Sequence, residues 1–252
     1  MHCLGLRADG SIKIRAIDDC TWSGINGCTQ PSLKLHVEGA DQLLEAIRCV
    51  HNKTGETPCL FKAVHRVSLS MCQVFMHLIL YVFQADIDSA YRRIPIRPAD
   101  RWAAAITFVR DGNVVVARHV AMPFGAISSV HAWDRIAKFL QHIAHTLLML
   151  PALVYVDDFH GAERVATVGH ANRCFARMVD ALLGPGAVAV KKLLHGNPLE
   201  VLGLIVTVQE IGVCCKPSPD KVRKWVHIID AAIESSSLGP GSASKLAGLC
   251  CS

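Results

Sequence analysis

Charge and aromatic side chains are scarce in this chain. Only 19% of its 252 residues are Asp, Glu, Lys or Arg, and 6% are Phe, Trp or Tyr. The 51% apolar fraction excludes wholesale disorder, because it supplies enough core to offset the entropy of ordering. The length predicts one or two domains. The balance of 26 basic to 21 acidic residues gives +5, which permits an anionic partner without demanding one. No Cys-x-x-Cys pair occurs, and no Cys/His spacing matches a zinc site. The eleven cysteines are an odd number, and the adjacent pairs Cys214-Cys215 and Cys250-Cys251 cannot bridge internally without strain. No apolar core follows Met1, so no secretory leader is read. The cysteines are therefore expected to be reduced and mostly buried, in an intracellular protein of cytoplasm or nucleus.

Residues 38–52 predict a helix with Leu43, Leu44, Ile47 and Val50 on one face. The run 67–85 is almost uncharged and 74–83 nearly all apolar. A membrane helix needs about 20 such residues, but Gln73 and His77 interrupt this run and no strong basic flank follows. A membrane span is not expected. Residues 85–96 predict a strand entering a turn, and 102–108 with 114–120 a hairpin about Asp111-Gly112-Asn113. Ser128 or Ser129 is the expected cap of a helix reaching about 150, with Trp133, Ile136, Ala137, Leu140 and Ile143 on its apolar face. Residues 153–159 predict a short strand interrupted by two carboxylates, and 163–183 a helix stopped by Gly184-Pro185-Gly186. A second hairpin spans 201–208 and 211–216, and Ser218-Pro219-Asp220 opens a helix to about 234. Helices mixed with hairpins give an α+β domain, with helices on one face of a mainly antiparallel sheet.

Three features carry chemistry. Tyr155-Val156-Asp157-Asp158 ends an apolar strand with two acids, and Phe159-His160-Gly161 follows. Neighbouring strand residues point to opposite faces, so a tight turn is needed for both acids to reach one site, and Gly161 is expected to help the reversal. Asp86-Ile87-Asp88-Ser89-Ala90-Tyr91 places further carboxylates at a strand end. Met122-Pro123-Phe124-Gly125-Ala126-Ile127-Ser128-Ser129 is a Pro/Gly turn opening a long helix, where backbone can approach a base or phosphate. Taken singly, each has a plain structural reading: solvated turns and a capped helix. Acids converging from two strand ends suit hard divalent cations, which prefer a few carboxylates plus phosphate oxygens.

In this order the three resemble the palm of reverse transcriptases. Ala85-Asp86 to Pro95 is similar to the first palm motif. Met122 to Ser129 is similar to the Pro-x-Gly motif, in the Pro-Phe-Gly form of long-terminal-repeat and tyrosine-recombinase retroelements. Tyr155 to Asp158 resembles the Tyr-x-Asp-Asp box. Lys191-Lys192 resembles the lysine motif near the triphosphate, and Val201-Leu202-Gly203 the primer-grip turn. Lys13-Ile14-Arg15-Ala16-Ile17-Asp18-Asp19, with Asn26, resembles the fingers segment.

The resemblance implies an RNA-directed DNA polymerase that extends a primer by two-metal phosphoryl transfer. Asp86, Asp157 and Asp158 would be the catalytic triad and ligands of two magnesium ions, with manganese as a substitute. Tyr91 would be the aromatic steric gate against a 2′-hydroxyl, and Phe124 and Gly125 would touch the nascent base pair. Lys13 and Arg15 would neutralise the triphosphate, and Lys191 or Lys192 would protonate pyrophosphate. Arg92, Arg93 and Arg97 would contact nucleic-acid backbone or form a solvated face. The partners implied are an RNA or DNA template with primer and deoxynucleoside triphosphates, with no protein partner specified.

Some features depart from the pattern. Leu60-Phe61-Lys62-Ala63 already supplies the family's lead-in to the catalytic Asp, so 64–85 is expected to be an insertion of the kind a translated intron leaves. The expected division is partial fingers over 1–63, the apolar insertion over 64–85, palm over 86–216 and the start of a truncated thumb over 217–252. A non-catalytic nucleic-acid-binding remnant is the alternative reading. A membrane-associated protein using 67–83 is a third.

Overall fold

The computed structural model describes residues 2–6, 12–16, 18, 20–21, 23–31, 34–53, 80–209, 212–241 and 243–244. In chain order the elements are β1 (His2–Leu6), β2 (Ile12–Ala16), α1 (Ala40–Lys53), β3 (Leu80–Asp86), β4 (Ala105–Arg110) and β5 (Asn113–Arg118). There follow α2 (Ile127–Leu147), β6 (Ala152–Tyr155), β7 (Asp158–Arg164), α3 (Val165–Leu183), β8 (Leu194–Gly196), β9 (Leu199–Val201), β10 (Leu204–Gln209), β11 (Gly212–Pro217) and α4 (Pro219–Glu234).

The central sheet has the order β6-β7-β3-β8, every neighbour antiparallel. β3 lies inside it and is covered on both faces, so its sequence is a nearly continuous apolar run rather than an alternation. Phe83, Ala85 and Ile87 join Phe159 against Trp133, Ala137 and Leu140 of α2 and Phe175 and Val179 of α3. The alternate residues Leu80 and Val82 join Ala162 against Leu43 and Ile47 of α1 and Val201 and Val206 of the β11-β10-β9 sheet. The chain is thus α+β and antiparallel as expected, but its helices are not confined to one face. The Leu43/Ile47 stripe of α1 needs an apolar partner, and the second face of β3 and β7 supplies one.

Residues 80–85, assigned from sequence to the insertion, make up most of β3. The rest of that segment and the lead-in at 60–63 lie outside the described residues. No helix among the described residues is long and apolar enough to cross a membrane.

The two predicted hairpins form as β4–β5 and β10–β11. The predicted cap of α2 does not. Its N-cap position is Ala126, with no side-chain cap of its own, and the Ile127 N–H is taken by Asn26 Oδ1 at 2.9 Å. Ser129 is buried inside the helix. α4 starts as expected, with Ser218 capping and Pro219 in the first turn. The burial expected of the cysteines is not general: among the described free thiols Cys20 is buried, while Cys28 and Cys49 are exposed and Cys174, Cys214 and Cys215 half-buried.

Candidate functional site

β3 carries Asp86 to one end of the sheet, and β7 starts there with Asp158. The two are register partners, so their side chains share one face, their Cβ atoms about 4.5–5.5 Å apart. Tyr155 pairs with Asp158, which makes Val156-Asp157 a two-residue turn. The Ile87 N–H donates to the Asp157 carbonyl at 3.1 Å and ties that turn to the chain leaving β3. Asp86 and the adjacent pair Asp157-Asp158, remote from it in sequence, therefore meet at one sheet end.

The turn is strained. Val156 has φ +57°, a conformation that is a genuine outlier for a β-branched residue. It is held from inside: the Trp133 indole N–H donates to the Val156 carbonyl at 2.6 Å, and the Val156 side chain packs against the α2–α3 core. Gly161 does not help the reversal. It lies mid-strand opposite Phe83, where a Cβ would come within 2.3 Å of the Pro151 carbonyl oxygen and 2.7 Å of the Phe83 ring. Its missing side chain allows close packing.

Burial, then the charges of Asp86 and Asp157, push the Asp158 carboxyl above the usual carboxylate range; Gln84 and Lys192 pull it partly back. The Gln84 amide lies 3.5 Å from Asp158 Oδ1. A carboxylate cluster that resists its own charge attracts a cation, and Lys192 Nζ meets this by pairing with Asp86 Oδ2. Among the described residues, no three His, Cys, Asp or Glu side chains form a ligand set for a metal by themselves. Magnesium asks for less, since one or two carboxylates with water and phosphate oxygens complete its shell. The donor chemistry and the raised Asp158 carboxyl fit a hard divalent cation on those terms.

Beside the acids stands an aromatic pair. Tyr91 lies in the 3-10 turn Ala90–Arg93, and burial followed by the Asp157 charge pushes its phenol above its ordinary range. Its ring meets Phe124 edge-on at 5.1 Å between centroids, a favoured aromatic geometry. The Pro-Phe-Gly turn is brought there by backbone pairing: the Met122 N–H donates to the Ile94 carbonyl and the Ile96 N–H to the Val120 carbonyl, both at 2.9 Å. Asn26 fixes it further, donating to the Gly125 carbonyl at 2.9 Å while its Oδ1 accepts from Ile127. The Asp18 N–H donates to the Phe124 carbonyl at 3.2 Å.

The other predicted residues are placed as follows. Lys13 and Arg15 lie in β2 opposite Gly5 and Cys3; their side chains lie outside the described residues. Lys191 is exposed, in the same 3-10 turn as Lys192. Val201 ends β9 and pairs with Leu204, so Leu202-Gly203 is a turn with φ +52° and +73°, clasped by Lys221 Nζ donating to the Leu202 carbonyl at 3.0 Å. Arg93 is committed internally, donating to the carbonyls of Asp88 and Gly186 at 2.7 Å and of Leu183 at 3.3 Å. Arg97 is exposed and forks onto Asp100. Arg92 bonds His119. Trp133 and Gln84 act at the site without having been singled out for it. Trp133 belongs to an ordinary apolar stripe, and Gln84 falls in the segment set aside as an insertion.

No family and no curated protein matches this chain in sequence. Among solved structures it is similar to a foamy viral protease–reverse transcriptase (dRH) in complex with double-stranded DNA, with a TM-score of 0.51 and 17% identity over 88% of this chain. A second similarity is to the foamy viral protease–reverse transcriptase in complex with an RNA/DNA hybrid, with a TM-score of 0.45 and 20% identity over 59% of this chain. The chain spans 31% and 18% of those two chains respectively. The first of these gives the chain a reverse-transcriptase-like fold.

Proposed function

We propose that this chain is the palm, with part of the fingers, of an RNA-directed DNA polymerase of retroelement type. The observation that carries the reading is the pairing of Asp86 with Asp158 across β3 and β7, beside a strained turn that adds Asp157. Strain of that kind concentrates at functional sites.

In this reading Asp86, Asp157 and Asp158 hold two magnesium ions, for which manganese substitutes. Ions held by these three carboxylates would supply Lewis-acid activation of a primer 3′-hydroxyl and charge neutralisation at the leaving pyrophosphate. Tyr91 lies under the sugar and excludes a 2′-hydroxyl, while Phe124 and Gly125 abut the nascent base pair. Lys13 and Arg15 neutralise the triphosphate. Of the two candidate lysines, Lys192 is the proton donor to pyrophosphate, because its ammonium already reaches the acid cluster. Val201, Leu202 and Gly203 support the primer end. Arg97 is free to exchange its exposed partner Asp100 for a phosphate, and surface pairs of this kind hold weakly.

Primer extension on an RNA template with magnesium and deoxynucleotides tests the reading. Wild-type chain should extend, and Asp157→Asn should lower the rate on the order of a thousandfold or more. Extension that survives Asp157→Asn sinks it. A non-catalytic nucleic-acid-binding remnant is the second reading. It is favoured by the Lys192 ion pair on Asp86 and the lack of a closed ligand set among the described residues. Retained template–primer binding with no extension by the wild type selects it.

A further inference from the structure

Behind the aromatic pair lies a polar relay that the proposed polymerase reaction does not itself use. Arg92 follows Tyr91, and its guanidinium carbon stands 5.8 Å from the Phe124 ring centroid, within cation–π range. Arg92 Nη1 is 2.8 Å from His119 Nδ1. On the other side of the imidazole, His119 Nε2 faces Asp18 Oδ2 at 3.0 Å. Arg92 Nη2 lies 3.9 Å from the same carboxylate oxygen. The His119 and Asp18 side chains are only 13% and 22% exposed.

The protonation state follows from the partners. An arginine donates and never accepts, so His119 Nδ1 must present its lone pair to Arg92. The imidazole proton then sits on Nε2, which lies 3.0 Å from Asp18 Oδ2 as a close contact without closing a hydrogen bond. Neutral His119 is therefore a spacer that accepts from a cation on one side and faces an anion on the other. The backbone on both sides is tied down: the His119 N–H donates to the Ala104 carbonyl at 2.9 Å, and the Asp18 N–H donates to the Phe124 carbonyl. The guanidinium is thus fixed against one side of Phe124 while Tyr91 meets its ring edge-on.

We infer that His119 is a positioning residue for nucleotide binding: with Asp18 it locks Arg92 against Phe124, and so sets the Tyr91–Phe124 pair on which sugar discrimination depends. The inference rests on the polymerase reading, because it assigns that aromatic pair to the incoming deoxynucleotide. Without the imidazole, Arg92 keeps only the 3.9 Å contact to Asp18, and Phe124 loses its fixed cation.

The test compares wild type, His119→Ala and His119→Asn, whose amide oxygen can still accept from Arg92. Steady-state extension on a primed RNA template is measured together with equilibrium binding of magnesium dTTP, which needs no turnover. His119→Ala should raise the KM for dTTP about tenfold, the scale of one lost charged hydrogen bond, with kcat changed far less. It should also weaken dTTP binding in parallel and narrow the preference for dTTP over UTP. His119→Asn should restore most of the KM. A merely structural role would lower the melting temperature without that split or that rescue. If folded His119→Ala keeps the wild-type KM, dTTP affinity and sugar preference, the inference is overturned while the polymerase reading stands. If wild type binds dTTP in a His119-dependent way but does not extend, catalysis by this chain falls while the assignment of the aromatic pair to a nucleotide, and the relay with it, stands. If wild type neither extends nor binds dTTP, both fall.

Discussion

Two of the hairpins among the described residues, β4–β5 and β6–β7, each reverse on two residues, yet they are built on opposite principles. β4–β5 turns on Asp111-Gly112, with φ +52° and +78°, a sequence suited to the left-handed conformation. It stands largely in water, with Val109, Val114 and Val116 each more than 60% exposed. β6–β7 turns on Val156-Asp157, a poor choice for a residue at φ +57°. That turn persists because Trp133 bonds its carbonyl and the core packs its side chain. The first hairpin is specified locally and needs nothing from the rest of the fold. The second is imposed by tertiary structure, and it is the one that carries the acids. An unfavourable turn in a chain that forms a favourable one elsewhere marks the place where geometry has been selected over local stability.

The comparison breaks most severely if the support of the second hairpin is removed. Deleting residues 80–85 alone takes out the strand between β7 and β8 and should leave no folded chain, seen as loss of near-ultraviolet circular dichroism and of a cooperative melt. Deleting 64–85 should be tolerated, although it removes more. Joining Ala63 to Asp86 puts Leu60 at the place of Val82, Phe61 at Phe83, Lys62 at Gln84 and Ala63 at Ala85. Of the three buried positions, Phe83 and Ala85 keep the same side chain and Val82 gains one methylene as Leu60, and Lys62 would bring a cation towards Asp158 where Gln84 now offers an amide. A cooperative melt for the longer deletion and none for the shorter is the expected result. The reverse would show that 64–79 is needed for folding.

That experiment also marks what the sequence could tell. The acids, Tyr91 five residues after Asp86 and the Pro-Phe-Gly turn lie in short contiguous motifs, and short motifs stay legible because spacing alone brings their members together. The β4–β5 turn is legible for the same reason, since Asp-Gly writes its own geometry. β3 is not. A strand buried on both faces has no period-2 signature, so 80–85 looked like the tail of an apolar insertion. Gly161 is ambiguous in the sequence because glycine signals turns and close packing alike, and only the Phe83 ring and the Pro151 carbonyl distinguish them. The Asn26 clamp and the His119 relay join residues tens of positions apart. A lone histidine at a strand end carries no sign of either partner.

Gly161→Ala sharpens the contrast next. Its Cβ would overlap backbone oxygen as well as ring carbons, so the strain cannot be relieved by one side chain turning away. A loss of about 3 kcal/mol in unfolding free energy is expected, read from denaturant midpoints at constant slope. Acid should then separate the hairpins by a similar amount. His160 in β7 is fully buried, and burial lowers its pKa from 6.5 to about 4, against smaller opposing effects of Glu38 and backbone hydrogen bonds. The unfolded chain binds that proton more readily than the folded one. This contribution is therefore fully present above pH 6.5 and is lost as pH falls from there towards about 4, by about 3 kcal/mol in all. His160→Gln should flatten that part of the stability–pH curve. An unchanged slope would show that the histidine does not report on the hairpin.

The smallest effect belongs to the hairpin that needs no help. Gly112 also has positive φ, but a Cβ there would meet nothing within 4 Å. Gly112→Ala therefore carries only the intrinsic cost of a left-handed alanine, about 1 kcal/mol, with no packing cost added. In the polymerase reading it should leave primer extension unchanged, because the β4–β5 turn touches none of the three acids. The same one-methyl substitution at Gly161 and Gly112 thus compares a site held by its surroundings with one held by its own residues. Equal losses at the two positions would mean that the core around Phe83 and Pro151 yields as easily as open water, and the strained turn would then need a different account.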